Sequence, residues 1–211
     1  MTKHIGILGG TFDPVHQGHI ACADYVQRHC NLAQVRLMPC HIPAHRATPG
    51  VSAPQRAAMV QLAIRHYPKL QLETLELDKH SPSYSIDSLQ LLTAREPDSR
   101  FYFIIGMDSL CSFRQWKDWQ RILQHAHLLV CARPGYSATD GDAAFLLQQY
   151  GVQDLSTLQQ RASGAILLLA NPLNAISASQ IRQQLQQGAT DIDALDPAVL
   201  NYIRTQQLYQ A

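Results

Sequence analysis

The sequence predicts an α/β fold: one Rossmann-like parallel sheet with helices on both faces and further helices toward the C-terminus. Three observations lead to this prediction. Short apolar runs typical of buried strands alternate with helix-like segments along the chain. The first apolar run passes directly into a glycine-containing loop and then into a helix. The length of 211 residues suits one full hydrophobic core, so we expect residues 1–211 to form a single domain.

The predicted elements follow one another in a regular order. The first strand is an apolar run that ends at two glycines, and five similar runs follow; the six strands are Ile5–Leu8, Val35–Pro39, Leu70–Leu75, Phe101–Ile105, Leu128–Ala132 and Ile166–Ala170. Helices are predicted at residues 19–30, 54–66, 84–95, 116–125, 142–149, 178–187 and 197–207. Ligands of open α/β sheets bind beyond the carboxyl ends of the strands, so the site is expected in the loops there.

Composition excludes several classes of protein. The formal net charge of +1 gives no reason to expect a nucleic acid or an anionic membrane as a partner. No apolar run approaches the roughly 20 residues that span a bilayer, and no targeting signal is recognised at the N-terminus. The five cysteines are scattered and form no CxxC pair, which favours a reducing, cytoplasmic location. The oligomeric state is not indicated.

The loop after the first strand carries the residues that point to chemistry. Gly9 and Gly10 allow a close backbone approach, and Thr11 and Phe12 can offer backbone N–H groups. His16 and His19 follow at the start of a predicted helix, where unpaired N–H groups and a partial positive charge favour phosphate. The loop contains neither GxGxxG nor GxxxxGK[ST], so it is neither a dinucleotide fingerprint nor a P-loop.

The phrase GGTFDPVHQGH, at residues 9–19, resembles the first signature of the nucleotidyltransferase superfamily. ISASQIR, at residues 176–182, is similar to its second signature, usually written ISxTxIR, although Ala178 and Ser179 depart from the commoner residues. The phrases between them, MPCHIPAHR, SPSYSIDSL, FIIGMDSLCSF and CARPGY, extend the resemblance to nicotinate-mononucleotide adenylyltransferases. That family transfers the adenylyl group of ATP to nicotinate mononucleotide and produces deamido-NAD and pyrophosphate in NAD biosynthesis.

The resemblance implies a catalyst without a protein nucleophile, in which His16, His19 and Arg182 act on the reacting phosphates. It implies that ATP contacts Gly9, Gly10, Thr11, Phe12, His16, His19, His45, Arg46, Gly106, Asp108, Ser177, Ser179 and Arg182. Other interpretations exist for single members of this set. The two histidines could cap a helix, lie on the surface or hold a metal; His45 and Arg46 could be solvated loop residues; and Asp108 could be an N-cap.

The resemblance further implies that the mononucleotide contacts Tyr84, Ser85, Ile86, Trp116 and Arg133. The nicotinate carboxylate would meet backbone N–H groups at the start of the helix at 84–95, although Ser83 could instead be an ordinary N-cap there. Trp116 would stack on the pyridine ring, whereas Trp119 is predicted to lie in the core. Mg²⁺ is expected to bind through the ATP phosphates, without a dedicated protein ligand.

Four other functions compete with this interpretation. They are the same reaction on nicotinamide mononucleotide, a sister enzyme acting on phosphopantetheine, a regulatory nucleotide-binding module without catalysis, and a redox enzyme that uses the dinucleotide. The SYS helix start and the Trp116 segment oppose the phosphopantetheine enzyme. Intact His16, His19 and Arg182 oppose the regulatory module, and the missing GxGxxG opposes the redox enzyme.

Overall fold

The computed structural model describes residues 2–42, 50–77, 82–173 and 176–210. In these ranges seven strands form one parallel sheet: β1 (Lys3–Gly10), β2 (Gln34–Pro39), β3 (Leu70–Leu72), β4 (Ser99–Gly106), β5 (Ala126–Cys131), β6 (Gly151–Val152) and β7 (Ile166–Leu169). Their order across the sheet is β3-β2-β1-β4-β5-β7-β6. The predicted parallel sheet is therefore confirmed, with one additional short strand, β6.

Helices cover both faces of the sheet. The helices of the described ranges are α1 (Gln17–His29), α2 (Ala53–Ala63), α3 (Ser85–Arg95), α4 (Met107–Leu110), α5 (Trp119–His125), α6 (Ala143–Tyr150), α7 (Leu155–Gln159), α8 (Ala178–Gln186) and α9 (Pro197–Thr205). In the part of the chain that the structure describes, no helix combines the length and the apolar composition needed to cross a bilayer.

The alternation of side chains along the central strands produces two cores. On β4, Tyr102 and Ile104 face the core that α1, α2, α8 and α9 cover, whereas Phe101 and Phe103 face the core under α3, α5 and α6. This period of two is the geometry of a strand that is buried on both faces. Both cores therefore hold β1 and β4 firmly at the centre of the sheet.

The chain changes direction across the sheet between β1 and β4. It runs from β1 outward through β2 to β3, and then returns to the other side of β1 as β4. A crevice opens beyond the carboxyl ends of the strands at such a switch point. Gly10 ends β1 and Gly106 ends β4, so the loops after these two glycines border the crevice.

The predicted helix at 116–125 was wrong in its first turn. A 3₁₀ turn at Phe113–Gln115 ends at Trp116, whose backbone is extended, and Asp118 has a left-handed φ of 50° before α5 begins at Trp119. Trp116 and Trp119 therefore do not share a helix face. The elements α4, α7 and β6 were not predicted because four, five and two residues are too few to show a periodic pattern. Strand β3 ends at Leu72 rather than at Leu75.

Candidate active site

The loop after β1 turns sharply around the ring of Phe12. Phe12 has a φ of 50° and is only 2% exposed. A Cβ atom on Gly10 would lie 3.1 Å from the Phe12 ring, which is tighter than ordinary packing. The absence of a side chain at Gly10 therefore makes room for a core aromatic ring. A Cβ on Gly9 would meet the Phe103 ring at an ordinary 3.5 Å.

The two histidines of the first signature lie against each other at the start of α1. Their ring centroids are 3.7 Å apart, and the two ring planes are stacked at an angle of 28°. His16 is the N-cap residue of the helix. The His16 backbone N–H donates to His19 Nδ1 at 3.3 Å. An imidazole that accepts at Nδ1 carries its proton at Nε2 when it is neutral. His19 therefore has one N–H to donate to a ligand, at Nε2.

Both imidazoles are neutral at pH 7. Burial lowers the pKa of His16 to about 4, and nearby Arg133 contributes to the shift. Burial also holds the pKa of His19 well below its usual value, with further contributions from His16 and Arg133. The Nδ1 atom of His16 is buried and has no hydrogen-bond partner among the described residues. The pair thus offers polar N–H and nitrogen groups in a dry setting rather than positive charge.

The second signature contacts the first directly. Arg182, one turn into α8, donates from Nη1 to the main-chain carbonyl of Asp13 at 2.6 Å and from Nη2 to Ser179 Oγ at 3.2 Å. Ser177 is the N-cap of α8, and its side chain makes no capping hydrogen bond. Residues far apart in sequence, Asp13 and Arg182, are therefore neighbours at the helix N-terminus.

Tyr209 also contacts Asp13, through the carboxylate of its side chain. The Tyr209 hydroxyl donates to Asp13 Oδ1 at 2.6 Å, and burial together with that carboxylate raises the pKa of Tyr209 well above its usual value. The phenol therefore stays protonated and remains a donor. Asp13 shapes the loop through these contacts, and Tyr209 is a member of the region that the sequence analysis missed because no local pattern marks it.

The carboxyl ends of β4 and β5 supply an ion pair next to the histidines. Arg133 Nη1 lies 3.1 Å from Asp108 Oδ2, and a Cβ on Gly106 would come within 2.3 Å of Asp108 Oδ1. Glycine at 106 therefore gives the Asp108 carboxylate its space. Asp108 Oδ1 is buried without a hydrogen-bond partner among the described residues. One acceptor atom thus lies at this edge beside an exposed guanidinium.

The start of α3 forms another part of the same edge. Tyr84, not Ser83, is the N-cap residue, and its side chain makes no capping hydrogen bond. Ser83 Oγ instead accepts the backbone N–H of His41 at 3.2 Å. The side chain of Ile86 is buried in the core, so only its backbone can contribute to a ligand site. The first turn of α3 therefore presents main-chain groups.

The aromatic residues after α4 form one cluster on the same side of the sheet. The Trp116 ring meets Phe103 edge-on at 6.2 Å and packs on Phe113 at 5.3 Å. Trp119 meets Phe113 and Tyr150 edge-on and is half-buried against the core. Because Phe103 also underlies Gly9, Trp116 is one ring away from the end of β1.

Arg56 is a second residue that the sequence analysis missed. It is 1% exposed, and it donates to the carbonyl oxygens of Thr11 at 2.5 Å, Cys40 at 2.6 Å and Val51 at 3.3 Å. One guanidinium thus ties the loop after β1 to the loop after β2. Its signal was available: Arg56 shares the i, i+3, i+4, i+7 spacing of Ala53, Ala57 and Val60, which puts it on the buried face of α2.

The structure brings most of the predicted residues to one edge of the sheet. The loop at 9–19, Gly106, Asp108, Arg133 and the start of α8 are linked by the contacts above, and α3 and Trp116 border the same edge. His45 and Arg46 lie outside the described residues. Among the residues that are described, no three His, Cys, Asp or Glu side chains are grouped to hold a metal ion.

Comparison with known proteins agrees with this arrangement. The family model described as "Cytidylyltransferase-like" matches residues 7–184. A protein of Shewanella woodyi is 40% identical over 98% of this chain and 99% of its own length, and one of Aeromonas salmonicida is 42% identical over 98% and 97%; each is named "Probable nicotinate-nucleotide adenylyltransferase".

Solved structures share the fold. The structure titled "Plasmodium falciparum nicotinic acid mononucleotide adenylyltransferase complexed with NaAD" superposes with a TM-score of 0.72 at 20% identity, covering 98% of this chain and 97% of that one. The same Plasmodium falciparum enzyme "complexed with APC" superposes with a TM-score of 0.70. Because the family model matches residues 7–184 and the curated relatives match over nearly their full length, the chain belongs to the nicotinate-nucleotide adenylyltransferase family of cytidylyltransferase-like proteins.

Proposed function

We propose that this protein transfers the adenylyl group of ATP to nicotinate mononucleotide and releases pyrophosphate, as the names of its relatives indicate. One observation carries the proposal: the two signatures meet at the switch point of the sheet. Arg182 contacts the Asp13 carbonyl at 2.6 Å, in the loop that leads to the stacked His16 and His19. Donors from both ends of the chain therefore converge where two nucleotide phosphates could react.

The reaction needs positioning and charge stabilisation rather than a protein nucleophile. A phosphate oxygen of the mononucleotide attacks the α-phosphorus of ATP, a new P–O bond forms, and the bond to the β-phosphate bridging oxygen breaks as pyrophosphate leaves. Holding the two anions in line supplies up to ~7–11 kcal/mol of the barrier reduction. We assign His19 Nε2–H to the transferring phosphate, where a preorganised donor acts without reorganisation. His16, whose ring is stacked on that of His19, contacts the same phosphate in this proposal.

ATP lies along the loop of β1 and the start of α8 in this proposal. The helix start at Ser177 and Ser179, with Arg182, forms a cradle for the β- and γ-phosphates. Backbone groups at Gly9, Gly10, Thr11 and Phe12 border the α-phosphate. Asp108, above Gly106, has a buried unpartnered oxygen that suits a ribose hydroxyl of the adenosine. His45 and Arg46 complete the phosphate contacts by resemblance only.

The mononucleotide lies across the other half of the edge. Main-chain N–H groups of the first turn of α3, at Tyr84, Ser85 and Ile86, face the nicotinate carboxylate because a helix N-terminus favours an anion. Trp116 stacks on the pyridine ring. Arg133, which is exposed and paired with Asp108, would exchange that partner for the mononucleotide phosphate.

Mg²⁺ fits this site as a companion of ATP. The described charged side chains near the histidines are the guanidinium groups of Arg133 and Arg182, which suit phosphate, and the carboxylates of Asp108 and Asp13, which lie 3.1 Å and 3.8 Å from those two guanidinium groups. Mg²⁺ keeps several waters and uses few protein oxygens, so triphosphate oxygens and water would hold it. When bound, it supplies neutralisation of the triphosphate charge. Asp108, which is paired with Arg133, would contact it through water at most.

A cytoplasmic location, and partners limited to ATP and the mononucleotide, form part of the same proposal. The scattered cysteines and the net charge of +1 support both points.

A single assay tests the reaction. Purified protein is incubated with ATP, nicotinate mononucleotide and Mg²⁺, and pyrophosphate release is followed while the nucleotide product is identified by mass spectrometry. We expect equal amounts of pyrophosphate and deamido-NAD, and no pyrophosphate when either substrate is omitted. Pyrophosphate release from ATP alone, or no release with both substrates, would contradict the proposal.

A further inference from the structure

Two cysteine thiols that the proposed reaction does not use meet between helix α1 and the end of strand β5. Cys22 is on α1, three residues after His19, and Cys131 is the last residue of β5. Their Sγ atoms are 3.3 Å apart. In the described chain all five cysteines are free thiols. Cys22 is half-buried, whereas Cys131 is only 4% exposed.

We propose that Cys22 and Cys131 form an oxidation site, at which a hydroperoxide converts the two thiols into a reversible disulfide that slows adenylyl transfer. The contact is close to what a disulfide needs, because the sulfurs at 3.3 Å must approach by about 1.3 Å to reach a bond of ~2.05 Å. The effect on adenylyl transfer rests on the proposed function; the formation of the disulfide does not.

The two thiols have different roles in this step. The contact with the Cys131 sulfur lowers the pKa of Cys22, and nearby Arg133 acts in the same direction. The same contact, together with burial, raises the pKa of Cys131. Cys22 is therefore the thiolate that meets the oxidant, and it is also the more exposed of the two sulfurs.

The chemistry balances with one hydroperoxide. The Cys22 thiolate attacks a peroxide oxygen, the O–O bond breaks, and Cys22 becomes a sulfenic acid as water or an alcohol leaves. Cys131 then loses its proton and attacks the Cys22 sulfur; the S–S bond forms and the S–O bond breaks with loss of water. Two thiols are oxidised by two electrons, and the peroxide is reduced by two.

The link would act on the site through α1. Cys22 and His19 are three apart, so they lie on the same face of the helix, one turn from each other. Cys131 pairs in register with Gly106 and precedes Arg133 by two residues. Drawing the sulfurs together moves α1 relative to the ends of β4 and β5. A misplacement of about 1 Å can cost roughly 10²-fold in rate.

The experiment compares the reduced protein with protein treated with hydrogen peroxide. Peptides are mapped by mass spectrometry without reduction, and kcat is measured before treatment, after treatment and after dithiothreitol. We expect a Cys22–Cys131 linked peptide, a fall in kcat of at least about tenfold, and recovery on reduction. Before peroxide treatment, the variants Cys22→Ser and Cys131→Ala should have the kcat of the original protein. After peroxide treatment, they should show no loss of activity that dithiothreitol restores.

Cys111→Ser is the matched control, because Cys111 is a half-buried thiol whose nearest partner is the Ser137 carbonyl at 3.8 Å. This variant should remain as sensitive as the original protein. A link from Cys22 to any other cysteine, a reversible loss that persists in Cys22→Ser, or a full Cys22–Cys131 link without change in kcat would overturn the proposal. If the reduced protein catalyses no adenylyl transfer, that result contradicts the proposed function and not the disulfide. The peptide map would still decide whether the disulfide forms.

Discussion

His19 acquires its chemical form from one neighbouring backbone group. Because its Nδ1 atom accepts the His16 N–H, the neutral ring must carry its proton at Nε2. Burial keeps the ring neutral, so His19 acts as a hydrogen-bond donor rather than as a cation. A donor of this kind favours the transition state, in which charge on the phosphate oxygens is redistributed, more than it favours bound ATP.

We therefore predict that His19→Ala lowers kcat much more than it raises KM for ATP. Loss of a preorganised donor costs ~2.7–4 kcal/mol, or about 10²–10³ in kcat. Steady-state kinetics of pyrophosphate release measure both constants. The exposed His66→Ala is the control and should behave like the original protein. An unchanged kcat in His19→Ala would exclude His19 from catalysis.

Arg56 is a buried residue that we expect to position the site through its hydrogen bonds to main-chain carbonyls. Its guanidinium reaches carbonyls of two loops at once, and a lysine ammonium is a point charge that cannot make the same fork of bonds. An unpaired buried polar group costs ~1–3 kcal/mol. The loop that precedes the histidines therefore depends on this side chain for its position.

We predict that Arg56→Lys lowers kcat about tenfold or more at temperatures where the variant is still folded, since a 1 Å displacement of the loop is enough. Circular dichroism checks the fold and steady-state kinetics give kcat. Arg65→Lys is the matched control, because Arg65 is exposed and bonds to Asp196 and the Leu62 carbonyl. If Arg56→Lys lowers Tm but leaves kcat intact, Arg56 only stabilises the fold.

Among the elements, the starts of helices α3 and α8 lie at the carboxyl edge of the sheet, and we propose that each binds a different substrate. Helices α3 and α8 both begin without a side chain cap from their N-cap residues Tyr84 and Ser177. A helix start of this kind leaves main-chain N–H groups for anionic ligands. We assign α8 to the triphosphate and α3 to the nicotinate carboxylate, so each helix should affect a different ligand.

Arg182→Ala in α8 should weaken binding of ATP and spare nicotinate mononucleotide. Charge-assisted hydrogen bonds contribute ~1.5–3 kcal/mol each, so the Kd for ATP should rise about tenfold or more. Isothermal titration with each ligand separately measures this. Arg204→Ala on α9 is a suitable control. Equal weakening of both ligands, or weakening of the mononucleotide alone, would show that α8 is wrongly assigned.

The α3 start predicts a preference for nicotinate over nicotinamide mononucleotide. A carboxylate accepts from both main-chain donors, whereas a carboxamide turns its own NH₂ toward one of them, at a cost of ~1–3 kcal/mol. Asp87, the nearest acidic side chain on α3, is paired with Lys117 at 3.3 Å and does not serve the amide.

The measurement is kcat/KM for the two mononucleotides at saturating ATP and Mg²⁺, with a ratio of about ten or more expected. Trp116→Ala should lower both values by similar factors, because ring stacking does not distinguish acid from amide. Equal values in the original protein would refute acid preference without affecting the assignment of adenylyl transfer.

At the scale of the whole molecule, buried neutral histidines connect the site to stability. Burial lowers the pKa of His16 and of His127 to about 4, and His127 has both ring nitrogens within hydrogen-bond distance of main-chain groups. These groups take up a proton near pH 6.5 when unfolded but only near pH 4 when folded. The unfolded chain therefore binds more protons in this window, and stability falls as the pH drops through it.

We predict that the free energy of unfolding decreases as the pH falls from 6.5 to 5. By pH 4, each of the two histidines should have lowered this free energy by an amount on the order of 3 kcal/mol. Urea unfolding at several pH values measures the decrease. His127→Asn should be less stable at pH 7 but should show a shallower decrease, while the exposed His66→Asn should keep the original slope. The same slope in His127→Asn and the original protein would contradict this account.

Much of the architecture could be predicted from the sequence, because strands, helices and the signature phrases depend on residues that are close together along the chain. Apolar runs predict the strands, and the loop from Gly9 to His19 and the phrase at 176–182 are recognised from their amino-acid sequences. The failures were also local in origin: a two-residue strand and a four-residue helix carry no period, and the left-handed Asp118 that delays α5 has no signature. The prediction of a single domain over residues 1–211, and the role of each site residue, stay predictions.

The amino-acid sequence is enough to predict most of the elements and the residue types at the carboxyl edge, because strand and helix periods are properties of neighbouring residues. Tertiary structure alone decided the partners: Arg56 with the Thr11 carbonyl, Arg182 and Tyr209 with Asp13, and Cys22 with Cys131. It also decided that His16 is neutral. Hydrogen bonds and desolvation depend on distance in space, and no spacing along the chain encodes the distance between residues as far apart as Asp13 and Tyr209.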